Sequence, residues 1–182
     1  MKIIELYKKI KKEDGFTLIE SLVAILIISI GLTPALFSAT SATKLSENIE
    51  NNLIASHLVQ EGAEVIRFLR DRNRFLCDDF SSGLIGTWIV SYDDDWADCL
   101  NRDLTPAGGT PPVILKDSLG IYNYSTGTPT KFTRVVSVVE IVPLVEIMVT
   151  STVYWPSKTT GPGCPSGTQC VSAESHLFNW MQ

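Results

Sequence analysis

Three sets of residues in this chain have the types and spacing to do chemistry. Glu20 is the only charged residue in residues 16–37, a run of 22 dominated by Leu, Ile, Val, Ala and Phe. A carboxylate in hydrocarbon costs roughly 2.5–3.5 kcal/mol on insertion scales, so one that stays there needs a cation or another task. Thr17 and Glu20 also have the spacing of a capping box, in which each side chain satisfies a free amide of the first helical turn. The second set is Cys77, Cys99, Cys164 and Cys170. They stand 22, 65 and 6 apart, with His57 and His176 the only histidines, a pattern that argues against zinc. Four cysteines allow three disulfide pairings; loop spacing favours Cys77 with Cys99 and Cys164 with Cys170, the second closing a tight Pro/Gly loop. The third set is Asp93, Asp95 and Asp98, whose hard oxygens are the donors that calcium takes. Their spacing fits no EF-hand loop, and a solvated acidic turn is the simpler account.

Catalysis finds little support. The stretch Gly161-Pro162-Gly163-Cys164-Pro165-Ser166-Gly167 lacks the lysine of a phosphate loop, and neither Gly-x-Ser-x-Gly nor His-Glu-x-x-His occurs. The chain is read as a non-enzyme without a cofactor. A membrane-anchored hydrolase, its Ser, His and Asp converging only in space, is a weaker alternative.

The elements that must position these residues begin with the leader, 1–15, which carries Lys2, Lys8, Lys9, Lys11 and Lys12. By the positive-inside rule it stays cytoplasmic. The apolar run after it is long enough to cross about 30 Å of hydrocarbon as one helix, which places the rest of the chain outside, where disulfides persist. A secretory signal peptide is the plain alternative, with small residues at Ala39-Thr40-Ser41-Ala42 to be cut, but its apolar region is usually only about 7–15 residues long. Beyond the leader, 10 Lys and Arg stand against 17 Asp and Glu, a balance of −7 that disfavours nonspecific attraction to nucleic acid.

Gly15-Phe16-Thr17-Leu18-Ile19-Glu20, with a short basic leader before it and an apolar helix after it, resembles the processing motif of type IV pilins and type II secretion pseudopilins. The likeness covers about the first third of the chain. It implies cleavage by a prepilin peptidase between Gly15 and Phe16, methylation of the new Phe16 amine, and a role for Glu20 in assembly. It also implies a lipid bilayer, other pilin or pseudopilin subunits and an inner-membrane assembly platform as partners. Calcium occurs in some pseudopilins, which keeps Asp93, Asp95 and Asp98 as a weak candidate. Ser29-Ile30-Gly31-Leu32 is closer to minor subunits than to abundant ones.

Downstream, Gly31 and Pro34 predict a kink, because proline removes an i to i−4 bond and crowds the preceding turn. The helical pattern then resumes: Ile54, Leu58, Val65, Leu69 and Leu76 form a stripe widened by Ala55, Val59, Gly62 and Ile66, with Glu61, Glu64, Arg67, Arg70 and Arg74 turned away from it. Residues 38–52, poor in large anchors, read as an exposed neck. Residues 87–92, 120–124 and 170–180 read as strands; 132–142 and 145–155 read as a hairpin turning at Pro143-Leu144. The expectation is an α+β fold: leader 1–15, membrane and assembly helix 16–37, amphipathic extension 38–76, and an exported antiparallel β head 77–182. The function expected is a structural subunit, a minor pilin or pseudopilin, anchored in the cytoplasmic membrane with its head outside. A membrane-tethered binding or sensing domain that does not polymerise is the alternative.

Overall fold

The computed structural model describes residues 17–77, 79–92 and 104–180. The chain divides into two compact units, Met1–Asn48 and Ile49–Gln182.

The described part of the first unit is helix. α1 spans Leu18–Leu76, and the start of this helix is long and apolar enough to cross a membrane, with none of that stretch buried. Thr17 caps it: its Oγ1 accepts the Glu20 N–H at 3.3 Å, satisfying one of the amides that the first turn leaves free. The polar residues within the apolar run bond to the helix itself. Ser29 donates to the Ile25 carbonyl and Thr33 to the Ser29 carbonyl, both at 2.8 Å, which removes the cost of bare hydroxyls in an apolar surround. The helix continues through Gly31 and Pro34. Apart from Asn51, residues 38–52 are exposed, as the neck reading predicts.

The second unit packs the rest of α1 on a five-stranded antiparallel sheet. Its strands are β1 (Gly86–Ile89), β2 (Thr105–Pro106), β6 (Thr133–Val142), β7 (Glu146–Pro156) and β8 (Thr168–Phe178), in the order β2-β1-β6-β7-β8. β3 (Leu115–Lys116), β4 (Tyr122–Asn123) and β5 (Thr128–Pro129) form a small second sheet in the order β4-β3-β5. The β6–β7 hairpin is the one predicted, turning at residues 143–145 with Leu144 at φ 59°. β8 starts two residues earlier than the predicted strand and ends at Phe178. Along β7 burial alternates strictly, because one face meets the helix and the other is left outside. Two apolar clusters fill the interface. Ile66 and Leu69 meet Val136, Val138, Ile147, Val149 and Leu177; Ala55, Leu58 and Val59 meet Phe132, Val153 and Trp155.

The helix stripe is rotated from the predicted one. Its buried centre is Asn51, Ala55, Leu58, Val59, Gly62, Ile66, Leu69, Arg70 and Asn73, while Ile54 and Val65 flank it and Leu76 is 66% exposed. The approach is closest at Gly62. A Cβ there would stand 2.7 Å from Ser151 Oγ and 3.0 Å from Val136 Cγ2, so this one position has no room for a side chain, while Leu58, Ile66 and Leu69 pack on either side of it along the helix.

Candidate functional site

Each sequence-predicted site residue has a definite place. Gly15 and Phe16 lie outside the described residues, as do Cys99 and the acidic residues Asp93, Asp95 and Asp98. Glu20 sits in the first turn of α1, exposed on the apolar helix, with its backbone N–H held by Thr17. This is the Thr17 half of the capping box that the spacing predicts. Cys164 and Cys170 are joined, with an S–S distance of 2.06 Å and Cα atoms 5.6 Å apart, in the loop that precedes and opens β8. Cys77, directly after α1, is also disulfide-bonded.

Sequence reading missed the polar groups that fasten helix to sheet. Arg134, only 1% exposed, points from β6 into the interface, where its guanidinium donates to the carbonyls of Leu58 (3.0 Å) and Val90 and pairs with Glu61 Oε1 at 3.1 Å. Its guanidinium carbon also stands 6.0 Å from the centre of the Tyr124 ring. Burial pushes the Tyr124 hydroxyl pKa up, against the opposing pull of the Arg134 charge. The usable signal was periodicity: Arg134, Val136 and Val138 share one face of a strand, so an inward Val136 carries Arg134 inward with it.

Arg70, predicted to turn away, is instead 9% exposed and donates to the Phe178 carbonyl at 2.6 Å. A buried guanidinium so near the helix end serves a carbonyl that no ladder bond reaches. Asn73 Nδ2 donates to the carbonyls of Phe80 (3.0 Å) and Ser82 (2.9 Å), so the turn after α1 is tied to the last helical turns.

On the opposite face of the sheet His176 lies between two carboxylates: Nδ1 is 2.5 Å from Glu146 Oε1 and Nε2 is 3.3 Å from Glu174 Oε1. Hydrogen bonding to Glu146, and then to Glu174, raises the His176 pKa above its ordinary value. Among the described residues no group of three or more His, Cys, Asp or Glu could hold a metal ion.

What this arrangement can do follows from its surfaces. Eleven large apolar side chains between Leu18 and Leu36 are at least half exposed. An apolar helix of that length with no core of its own is a surface for lipid or for other helices. The head, by contrast, has an ordered core and side chains that fasten it to its own stretch of helix. No curated protein and no solved structure matches the chain. Residues 10–36, spanning the end of the basic leader, Glu20 and most of the apolar run, match the model of the prokaryotic N-terminal methylation motif, the signature of type IV pilins and pseudopilins.

Proposed function

We propose that this chain is a structural subunit, a minor pilin or pseudopilin, of a type IV pilus or type II secretion filament. The observation that carries the reading is the methylation motif at residues 10–36 running directly into an exposed apolar helix. On this reading a prepilin peptidase cuts after Gly15 and the new amine of Phe16 is methylated. The helix anchors the subunit once in the inner membrane, the lysine-rich leader inside and the head outside. The assembly platform then draws the helix from lipid into a filament, where helices of neighbouring subunits cover it. The role is structural, not catalytic. Glu20 supplies the charge that an incoming amine seeks.

Mass spectrometry of the protein purified from its native membrane tests this. The expected mature chain begins at methylated Phe16, and Gly15→Val leaves the leader attached. A mature start near Thr43 establishes a cleaved secretory signal instead, and an unprocessed, monomeric membrane protein establishes a tethered binding domain.

A further inference from the structure

We propose that the outer edge of β8 is a docking site for an extended, basic segment of another protein, which adds to the sheet as a sixth strand. β8 is the last strand of the sheet, and it pairs with β7 in unbroken register from Glu146–Phe178 to Pro156–Thr168. Two bonds at its ends fix which backbone groups face inward: Ser157 N–H to the Gly167 carbonyl at 2.9 Å, and Asn179 N–H to the Val145 carbonyl at 2.8 Å. Odd-numbered residues from 167 to 179 therefore bond towards β7, and even-numbered ones present N–H and C=O outward.

Among the described residues the outward groups are occupied at both ends and open between. The Thr168 carbonyl accepts Gly161 N–H at 2.9 Å from the disulfide loop, and the Phe178 carbonyl accepts Arg70. Among the described residues no backbone bond reaches the outward groups of Cys170, Ser172, Glu174 and His176. Exposed edges are ordinarily blunted by proline, lysine, a bulge or shortness. β8 is 11 residues long, contains neither Pro nor Lys, and has no register shift. An open run flanked by two closed ends is a slot of defined length, suited to main-chain pairing.

Charge and shape select the occupant. β7 and β8 contain no Lys or Arg, yet place Glu146 and Glu174 on the outer face beside His176. A strand paired here sets alternate side chains beside Glu174, where Lys or Arg complements it. The intervening side chains fall on the helix side, beside Val171 and Ala173, which the core covers only in part, and beside Ser175, whose hydroxyl already takes Arg67 at 3.4 Å and so leaves that cation occupied. A partner alternating basic and apolar residues therefore satisfies both faces. A second copy offering its own β8 brings further carboxylates to the same place.

The test uses the full chain in detergent and a fluorescent peptide of about nine residues alternating valine and lysine, followed by anisotropy. The peptide is expected to bind. The same peptide N-methylated at every amide keeps its charge but cannot donate, and should bind at least tenfold more weakly; a valine–glutamate peptide should also lose at least tenfold. Ser172→Pro removes an outward N–H while leaving the β7 ladder intact, and should abolish binding. Glu174→Lys leaves the backbone unchanged and should reverse the preference between the lysine and glutamate peptides. Equal binding of the N-methylated peptide, or an unchanged preference in Glu174→Lys, overturns the proposal. So does a chain that binds no peptide but forms a dimer which Ser172→Pro dissociates.

Discussion

Arg134 of β6 and Glu61 of α1 meet at 3.1 Å, joining residues 73 positions apart across the helix–sheet contact. A nearly fully buried guanidinium is costly unless its charge is met and its donors are used. Here one carboxylate meets the charge, and the carbonyls of Leu58 and Val90 take two donors.

Removing either partner should therefore destabilise the head, but not equally. Glu61 is 30% exposed, so water compensates part of its loss, and Glu61→Gln should cost about 1–3 kcal/mol rather than the full value of a buried pair. Arg134→Met leaves two carbonyls without their donor and should cost at least as much. Denaturant unfolding followed by tryptophan fluorescence decides this. An Arg134→Met protein as stable as wild type would mean that the pair fixes position without contributing stability.

Gly62→Ala sets helix propensity against space. Alanine favours a helix interior by roughly 1 kcal/mol, whereas overpacking a tight contact costs about 1–3 kcal/mol. The Cβ would stand 2.7 Å from Ser151 Oγ, 3.0 Å from Val136 Cγ2 and 3.1 Å from Arg134 Cδ, so overpacking should win and the melting temperature should fall. Ser151 Oγ is buried without a hydrogen-bond partner, so Ser151→Ala alone should be neutral or stabilising. Combined with Gly62→Ala it should recover part of the loss, and strict additivity of the two changes would count against a shared contact.

His176 makes head stability depend on pH. Its pKa is raised by Glu146 and Glu174, so the folded head holds the His176 proton more tightly than the unfolded chain does. The contribution is fully present below the unfolded value of 6.5 and is lost as pH rises through the higher folded value. Glu146→Gln removes the larger cause and should bring the His176 titration, followed by NMR, back towards 6.5. Identical titration curves in wild type and Glu146→Gln would sink this account.

Asn73 is fully buried, and its side-chain amide ties two carbonyls of the turn at residues 79–82 to the last turns of α1. Asn73→Leu leaves both carbonyls without that donor and should cost about 2–4 kcal/mol, with hydrogen exchange rising first in residues 79–84. Exchange unchanged there while the whole head loses stability would show a packing defect rather than a lost tie.

The fold was largely legible because its strongest signals are local. The apolar run, the hairpin on either side of Pro143-Leu144 and the short disulfide loop each announce themselves within a few residues. What escaped depends on distant partners. Which flank of the stripe is covered depends on where the sheet lies, a constraint absent from the helix sequence, and the burial of Arg70 goes with its bond to the Phe178 carbonyl 108 residues on. β2 and β3 are two-residue strands whose pairing is set by their neighbours, so nothing local in the sequence marks them. Of the candidate sites, the methylation motif was legible because it is one contiguous run of residues that needs no distant partner. The edge of β8 was not, since strand order decides which edge stays open.

Variants at Thr17 and Glu20 separate two readings of one turn of helix, capping and charge pairing. Thr17 Oγ1 already accepts the Glu20 N–H, so the first turn has a cap that does not need the Glu20 carboxylate. Thr17→Ala should fray the helix start at a cost of about 0.5–2 kcal/mol, yet leave association with partner pilins intact. Glu20→Gln keeps the size and hydrogen bonding of the side chain and removes only its charge. If a subunit's new Phe16 amine pairs with Glu20 of a neighbour, neutralising a charge otherwise stranded in hydrocarbon, Glu20→Gln should insert and lose its leader normally but fail to co-purify with partner subunits. Carbonate extraction reports insertion, mass spectrometry reports processing, and affinity capture from native membranes reports association. Wild-type capture of Glu20→Gln, with loss of capture in Thr17→Ala, would assign the motif's polar residues to helix capping and remove charge pairing from the assembly step.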